Sequence, residues 1–341
     1  MESFAFILHP LSVADIGRQY PWVAKIPERI VEALFRHAPP LTVSEITGIR
    51  SPYAAAEGWL ISCSLTSRQM HKLPQDYVIE KIIRAGEKAQ RLGAKIVGLG
   101  AFTAVVGDGG ITIARNLNIP VTTGNSYTVA TAISASKMAA RKMGLDIGRA
   151  EVAIIGATGA MGSTCARVLA REIRYLTLLG EGGNKLQRLA SRITAETGLA
   201  VKISSNLPGT LSKADVVIIV TGAHNGIIRP QHLKPGAIIC DVARPRNVSR
   251  RLARERKDLV VIEGGLVQMP PNTDFNFNFG LPPGTSCAAM AETMLLALEG
   301  RYESFSLGRD LTLAQVDEIS ALAAKHGFRL AGLRSPERIL I

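Results

Sequence analysis

The sequence has few of the residues that metal centres and disulfide-bonded folds require. Its 341 residues include four cysteines (Cys63, Cys165, Cys240 and Cys287), and no two of them have the CxxC spacing of a zinc knuckle or a redox dithiol. The six histidines are scattered and form no HxxxH or HExxH pair. We therefore expect no metal site and cysteines that stay reduced.

Long hydrophobic runs and a basic leader are also missing. The chain begins MESFAFILHP, without the basic n-region of a signal peptide, and its longest strand-like apolar run, Val216–Val220, is far too short to span a bilayer. These absences predict a cytoplasmic location. Aromatic residues make up only 5% of the chain, so the core has to be built mainly from aliphatic residues and alanine.

Basic residues outnumber acidic ones, 40 to 28, which gives a net charge of +12. Such a charge attracts acidic partners, among them nucleic acid, an anionic membrane face, an acidic carrier protein or a phosphorylated cofactor. The one dense basic cluster, 244–257, lacks the interleaved aromatic residues on which bases stack. We predict no nucleic-acid partner. Peripheral membrane contact stays open, as does a basic surface that merely keeps the protein in solution.

The length and the order of elements predict an α/β protein with about two domains. From Glu151 onward, apolar strands alternate with helices, which is typical of a parallel sheet covered on both faces. We predict an N-terminal α/β domain over 1–125 and a Rossmann-type doubly wound domain over 126–286, entered by a long helix from Ser126. Helices in 287–341 are expected to pack back on the first domain and close a cleft.

The predicted elements follow from periodicity and turn residues. In the N-terminal part they are a helix over Pro27–His37, strands over Leu41–Ile49 and Gly58–Leu65, a helix over Gln75–Leu92, and a strand over Lys95–Leu99. Residues 268–286 form a long Pro-, Asn- and Phe-rich connection, and loops of that length are usually functional.

A glycine-rich segment follows the first strand of the alternating region. Strand Val152–Ile155 leads into Gly156 and then a helix from Ala160. Gly156 permits the tight turn, Gly159 lets a pyrophosphate approach the backbone, and Gly162 lets helix and strand pack closely. This context predicts a nicotinamide dinucleotide, the cofactor of an oxidoreductase, on Gly156, Thr158, Gly159, Ala160, Met161 and Gly162.

The choice of dinucleotide is made after the second strand of the same region. Glu181 lies 25 residues after Gly156, where a carboxylate accepts hydrogen bonds from the adenosine ribose and repels a 2′-phosphate. This favours NAD(H). NADP(H) stays open, because Lys185 or Arg188 could fold over a phosphate.

Two later loops should flank the nicotinamide, since strand ends in such sheets face the cofactor. We predict this role for the residues after two buried strands, which are Thr221, Gly222, Ala223, Asp241 and Val242. Asp241 could equally be a helix or loop cap.

Several motifs accompany the dinucleotide loop, VAIIGATGAMGS, in order from about Gly58 onward: Leu99–Thr103 and Thr122–Thr128 before it, and Gly264–Val267, AETMLLALEG, Phe305–Arg309 and KHGF after it. Together they resemble the long-chain acyl-[acyl-carrier-protein] reductases. Bacterial relatives are labelled amino-acid or shikimate-type dehydrogenases. The resemblance implies that a cysteine takes the acyl group of a thioester and that hydride from NADPH releases the aldehyde. It also implies an acyl carrier protein or acyl-CoA substrate.

The chain departs from this family at two places. The family cysteine falls at Ala289, two residues after Cys287. If the helix begins after Cys287, this thiol could reach the same place and gain thiolate character from the helix dipole; otherwise Cys287 is a small buried residue. The family also has a basic residue at Glu181, which again favours NAD(H).

Further candidates lie near the strand ends of the first domain. Asn125 and Tyr127 could hold the substrate carbonyl or supply a proton, while Ser126 could also be a helix N-cap. We expect Phe102, Thr103, Thr123, Gly124 and Ser126 to contact substrate. Cys63 also matches a family cysteine, but its place on a predicted strand favours core packing.

Two other functions stay open. An amino-acid or hydroxy-acid dehydrogenase would need a general base, for which Lys72, Lys137 and Asp108 are candidates. A dinucleotide sensor without catalysis would explain the alanine at position 289.

Overall fold

In a computed structural model, residues 1–220, 228–242, 252, 255–335 and 338–339 are described. The chain forms two compact units. Unit 1 comprises Met1–Gly124, Met269–Arg309 and Ala321–Phe328, and unit 2 comprises Asn125–Gln268, Asp310–Ser320 and Arg329–Ile341. The predicted α/β class is confirmed, because each unit is built on a largely parallel sheet with helices.

The described strands are β1 (Glu2–Leu8), β2 (Thr42–Arg50), β3 (Ala55–Ser62), β4 (Val97–Leu99), β5 (Val121–Thr122), β6 (Glu151–Ile155), β7 (Tyr175–Leu179), β8 (Lys202–Ile203), β9 (Val216–Ile219), β10 (Ile238–Asp241), β11 (Val260–Glu263), β12 (Leu266–Gln268), β13 (Thr285–Cys287), β14 (Arg329–Leu330), β15 (Arg334–Ser335) and β16 (Arg338–Ile339).

The described α-helices are α1 (Val13–Gln19), α2 (Glu28–His37), α3 (Ser67–Lys72), α4 (Gln75–Arg91), α5 (Ile111–Arg115), α6 (Asn125–Lys142), α7 (Ala160–Leu169), α8 (Gly183–Thr197), α9 (Leu207–Leu211), α10 (Ala288–Leu298) and α11 (Leu313–Lys325). None of these helices is both long enough and apolar enough to cross a membrane.

Unit 1 contains a five-stranded sheet in the order β2-β3-β1-β4-β5. Strands β3, β1, β4 and β5 are parallel, and β2 joins β3 as an antiparallel edge strand. Sequence alone did not single out β1, because its buried FAFI run lacks the alternation of a half-exposed strand. Strand β3 begins three residues before the predicted start and ends at Ser62, so Cys63 follows the strand instead of lying on it.

Unit 2 contains a six-stranded parallel sheet in the order β11-β10-β9-β6-β7-β8. Counted from β6, this is the strand order 3-2-1-4-5-6 of a Rossmann domain. The predicted doubly wound sheet is therefore confirmed. Its core is aliphatic, with buried side chains such as Ile155, Val217 and Ile239. In such sheets the ligand crevice lies outside the carboxyl ends of the strands.

Helix α10 packs on the sheet of unit 1 and runs opposite to its parallel strands. Near its start, Ala289 touches Gly124, just after β5, and Thr293 touches Gly98 in the middle of β4. At its far end, Glu299 bonds His326, whose other ring nitrogen bonds Ser51 before β3. The start of α10 therefore lies at the carboxyl edge of this sheet.

Candidate active site

The glycine loop of unit 2 is held to the end of the neighbouring strand. Gly156 has φ +86°, in the left-handed region that favours glycine, and turns the chain out of β6. The N–H groups of Gly156 and Ala157 both donate to the Leu179 carbonyl oxygen, at 2.9 and 3.0 Å. The loop is thus anchored before any ligand binds.

Gly159 and Gly162 have different surroundings. A Cβ on Gly162 would overlap the Gly156 carbonyl oxygen, so only glycine lets α7 start this close to the loop. A Cβ on Gly159 would meet only that same oxygen, at 3.5 Å, so Gly159 faces open space. The first backbone bond of α7 runs from the Ser163 N–H to the Gly159 carbonyl oxygen, which leaves the N–H groups of the first three helical residues, 160–162, for a phosphate. These residues fit a dinucleotide pyrophosphate.

Glu181 lies in the turn after β7, and Lys185 lies in the first turn of α8 that follows it. Glu181 is exposed and is followed by Gly182, which has φ +82° and begins the turn into α8. A Cβ on Gly182 would lie 3.6 Å from Cδ of Lys185, so the lysine side chain packs beside this glycine. Thr158 packs against Gly180 in the same place. An exposed carboxylate and a lysine therefore follow one another closely at this strand end.

The other strand ends of unit 2 are only partly described. Asp241 is the buried last residue of β10, and the N–H of Val242 donates to Ile219 at 2.9 Å. The predicted Thr221, Gly222 and Ala223 lie outside the described residues. Sequence reasoning overlooked the contact between Gly265, after β11, and Thr128 of α6. The pair Gly264 and Gly265, directly after a predicted strand, could have indicated this close approach.

Unit 1 gathers polar and aromatic groups at the carboxyl edge of its sheet. His9 follows β1, Cys63 follows β3, Phe102 and Thr103 follow β4, and Thr123 follows β5. Sequence reasoning missed His9, because β1 itself was not recognised. A histidine directly after an apolar run was the signal that could have found it.

His9 ties two of these loops together. Its Nε2 accepts a hydrogen bond from the Phe102 N–H at 3.1 Å, and its Nδ1 lies 3.0 Å from the Pro10 carbonyl oxygen. This pairing requires the proton on Nδ1. Burial lowers the pKa of His9 to about 4, so the ring is neutral near pH 7. His9 therefore positions the loop after β4 without carrying charge.

The loop after β4 contains a strained residue. Ala101 has φ +50°, which costs a residue with a side chain about 1–2 kcal/mol. Thr103 donates its hydroxyl to the Gly100 carbonyl oxygen at 2.8 Å, and the ring of His71 packs edge-on against Phe102, with centroids 4.4 Å apart. Backbone strain of this kind concentrates at functional sites.

The end of β5 packs closely on α10. Thr122 donates to the buried Glu292 carboxylate, and Thr123 donates to the Ser306 carbonyl oxygen. A Cβ on Gly124, which has φ +73°, would overlap Ala289. Sequence reasoning did not single out Glu292 or Ser306, since their partners are more than 150 residues away in the chain.

The four cysteines differ sharply in exposure. Cys63, Cys165 and Cys240 are buried, and burial raises the thiol pKa of all three, to about 12 for Cys63 and Cys240. Cys287 is partly exposed and is the N-cap residue of α10, with extended backbone. The helix therefore begins after Cys287.

The first turn of α6 differs from the prediction. The helix begins at Asn125, so Ser126 lies inside it. The alternative that Ser126 is the N-cap of this helix is therefore wrong. Ser126 and Tyr127 are buried, and burial raises the pKa of the Tyr127 phenol. Tyr127 therefore holds its proton tightly and is better suited to donating a hydrogen bond than to releasing a proton.

Two of the three candidate general bases are bonded to other residues. Lys137 forms an ion pair with Glu172, and the Asp108 carboxylate accepts bonds from the N–H and hydroxyl of Thr112. Lys72 is exposed at the end of α3. Among the described residues, no group of three His, Cys, Asp or Glu side chains could hold a metal ion.

Comparison with known proteins identifies related chains. Long-chain acyl-[acyl-carrier-protein] reductase of Synechococcus elongatus is 28% identical over 305 residues, which cover 86% of this chain and 88% of that protein. Aminotransferase PigE of a Serratia species is 32% identical over 262 residues, 76% of this chain but only 30% of PigE. Residues 137–262 match a family model described as Shikimate / quinate 5-dehydrogenase.

This chain is a relative of the long-chain acyl-[acyl-carrier-protein] reductases, and the resemblance predicted from its motifs is confirmed. It is an oxidoreductase of the NAD(P)-binding Rossmann type, related also to the shikimate and quinate dehydrogenases. Among solved structures, quinate dehydrogenase from Corynebacterium glutamicum in complex with NAD has a TM-score of 0.39 at 14% identity, covering 76% of this chain and 88% of that one.

The relationship sharpens the question of the cysteine position. Ala289, where the resemblance would place the cysteine, lies in the first turn of α10 against Gly124. Cys287 precedes that turn and is extended, so the helical rotation of about 100° per residue does not apply to it. The partly exposed thiol thus stands at the start of the same helix.

Proposed function

We propose that this chain reduces an acyl thioester to an aldehyde, with Cys287 taking up the acyl group and NADH supplying the hydride when bound. One observation carries the proposal. Of the four thiols, Cys287 is the one that is partly exposed, and it occupies the N-cap position of an 11-residue helix at the carboxyl edge of unit 1. The other three are buried, and burial raises their pKa.

The position of Cys287 suits a nucleophile. The positive end of the α10 dipole favours the thiolate over the thiol. The thiolate attacks the acyl carbonyl, the carbon–sulfur bond to the carrier breaks, and the carrier thiolate leaves and takes a proton from solvent. The resulting enzyme thioester is still electrophilic. Addition of hydride to its carbonyl carbon and loss of the Cys287 thiolate release the aldehyde and restore the enzyme.

Neither chemical step requires a side chain to transfer a proton to the carbonyl oxygen, but donors that stabilise its developing charge would accelerate both. We keep Asn125 and Tyr127 as candidate donors, because the raised pKa of Tyr127 suits a group that keeps its proton. The hydroxyls of Thr103 and Thr123 are bonded to backbone carbonyls, so they hold the loops after β4 and β5 in place, and we propose that these loops contact the substrate. Partly exposed Phe102 offers apolar contact for the acyl chain.

For the cofactor we propose NADH over NADPH. Glu181 is exposed in the turn that binds the adenosine ribose in Rossmann domains, where a carboxylate repels a 2′-phosphate. Lys185 lies in the first turn of α8, four residues further on, and would lessen that repulsion. Asp241 and Val242 line the carboxyl end of β10 and are proposed to flank the nicotinamide. The substrate would be an acyl-[acyl-carrier-protein] or acyl-CoA.

The test is turnover of an acyl-CoA with NADH and with NADPH, measured by the fall in absorbance and by aldehyde formation. We expect Cys287→Ser to abolish aldehyde formation while NADH binding stays unchanged. Adding Ala289→Cys to Cys287→Ala moves the thiol to the position implied by the family and should restore part of the rate. Full turnover in Cys287→Ser would contradict the thiol mechanism.

A second candidate is a shikimate-type dehydrogenase, which the family match over residues 137–262 favours. It would oxidise a hydroxy or amino acid with NAD and would not use a thiol. The engagement of Lys137 and Asp108 in other contacts argues against them as its base. Oxidation of such acids by the Cys287→Ser variant, without thioester reduction by the unaltered protein, would favour this function.

A further inference from the structure

Residues 10–41 form a helical excursion between β1 and β2, and its outer surface is unusually apolar. Eleven large apolar side chains are exposed in the described part of the chain, and six of them lie in this short segment: Leu11, Tyr20, Trp22, Ile30, Leu34 and Leu41. Trp22 is 57% exposed and Leu34 is 62% exposed. Such a concentration marks an interaction surface.

These apolar side chains are exposed although the excursion has a hydrophobic core of its own. The excursion has its own buried cluster of Val13, Ile16, Val23 and Val31, with Ile26 and Phe35 packed against it. Val31 and Phe35 point inward, and Ile30 and Leu34, one turn apart, lie about 100° around α2 from them and are exposed. The apolar stripe of α2 therefore extends beyond its buried contacts onto the exposed surface, which packing of Val31 and Phe35 alone does not require.

The inner side of α2 is fixed to the rest of unit 1. The Glu32 carboxylate accepts a bond from the Thr66 hydroxyl at 2.7 Å and forms an ion pair with Arg68. The Gln69 side-chain amide donates to the Glu32 carbonyl oxygen at 2.9 Å. The outer side is thus a defined surface, because the inner side is held to the segment that follows the carboxyl end of β3.

The charges of the excursion favour an anionic partner. Asp15 and Glu32 are already paired with Arg18 and Arg68. Among the residues that the structure describes, Lys25 and Arg29 form no ion pair and are exposed, and Glu28 is the remaining acidic residue. Two unpaired cations beside exposed Trp, Tyr, Ile and Leu side chains are the composition of an interfacial membrane anchor.

We propose that residues 10–41 dock unit 1 on the surface of an anionic lipid bilayer. Trp22 and Tyr20 would lie at the headgroup level, Ile30 and Leu34 would enter the acyl boundary, and Lys25 and Arg29 would pair with lipid phosphates. A second copy of the chain fits less well, since a two-fold contact would bring Lys25 and Arg29 of both copies together. The proposal stands apart from the thioester chemistry, because it concerns only where the protein resides.

The test is flotation of the full-length protein with vesicles of phosphatidylcholine, alone or mixed equally with phosphatidylglycerol. We expect binding to the mixed vesicles, weakened by salt, and a blue shift of Trp22 emission in a Trp59→Phe background. Ile30→Ser with Leu34→Ser should lower the partition coefficient at least about tenfold, or about 1.4 kcal/mol, because the variant buries less apolar surface in the bilayer. Lys25→Glu with Arg29→Glu should abolish the preference for anionic vesicles.

The matched control is Tyr53→Ser with Tyr175→Ser, which removes two exposed aromatic residues outside the excursion and should leave binding unchanged. Circular dichroism checks that each variant is folded. Failure to float with anionic vesicles, or flotation unaffected by the Ile30 and Leu34 changes, overturns the proposal. A dimer in sedimentation that those two changes dissociate, without vesicle binding, overturns it in favour of a second copy.

Discussion

Both units carry their candidate residues at the carboxyl edge of a parallel sheet, yet the two edges are built differently. In unit 2 the edge depends on backbone: glycines that allow close approach, and amides left at the start of α7. In unit 1 it depends on bonds between distant segments, such as His9 to Phe102 and Thr123 to Ser306. The first edge should therefore be sensitive to added Cβ atoms, and the second also to lost side chains.

The largest effect is expected for Gly124→Ala. This change should disturb the carboxyl edge of the sheet in unit 1 and leave that of unit 2 intact. The new Cβ overlaps Ala289 and also sits at φ +73°. Stability should fall by about 3 kcal/mol, from overpacking together with left-handed strain, as measured by urea unfolding. Gly144→Ala is the matched control, because it has φ +68° but nothing within 4 Å of the new Cβ. An equal loss in both variants would show that the contact with Ala289 does not matter.

A comparable change in unit 2 is Gly162→Ala, which forces a Cβ into the Gly156 carbonyl oxygen. We expect NADH to bind at least about a hundredfold more weakly, about 2.7 kcal/mol, because the loop must move away from the helix start. Fluorescence titration measures this. Gly183→Ala on α8 has open space around the new Cβ and should bind NADH normally. Normal NADH binding by Gly162→Ala would show that the close approach of Gly162 to the loop is not needed for cofactor binding.

His9 gives the edge of unit 1 a pH dependence. Burial lowers its pKa from about 6.5 to about 4, so between these values the unfolded chain binds a proton that the folded chain does not. Stability is therefore greatest above pH 6.5 and falls as the pH drops towards 4, by about 3 kcal/mol in total. In His9→Gln this part of the pH dependence should disappear in urea unfolding. Exposed His37→Gln serves as the control, and an unchanged pH profile in His9→Gln would contradict the assignment.

The smallest effect concerns cofactor choice within unit 2. Glu181→Gln removes the charge that repels a 2′-phosphate, while Lys185 remains in the first turn of α8. The ratio of NADPH to NADH affinity should rise by about tenfold. Lys185→Ala should shift this ratio in the opposite direction by less. If Glu181→Gln leaves the ratio unchanged, the ribose is recognised elsewhere.

The same contrast explains how much of the molecule could be predicted from its sequence. The strand, the glycines and the helix of the dinucleotide loop are contiguous from Glu151 to Leu169, so local pattern sufficed. The edge of unit 1 draws on segments as far apart as His9 and Ser306. Such pairings depend on strand order, and strand β1, buried on both faces, did not show the alternation that would have placed it.

The orientation of Cys287 could not be predicted from the sequence. Whether Cys287 faces the same way as a thiol at position 289 depends on the residue at which α10 begins, and helix boundaries are weakly encoded in sequence. The structure places the first helical residue at Ala288 and leaves Cys287 extended and partly exposed. Cys287 is a candidate nucleophile because the helix begins after it; inside the helix it would be expected to be a small buried residue.

The most direct test of the proposed chemistry is the mass of the protein after brief exposure to an acyl-CoA without NADH, followed by peptide mapping. Acyl transfer predicts one added acyl group, located on the peptide that contains Cys287, lost on addition of NADH with release of aldehyde, and absent from Cys287→Ser. An acyl group on Cys63, Cys165 or Cys240, or aldehyde formation by Cys287→Ser, would contradict the assignment of Cys287 as the residue that carries the substrate.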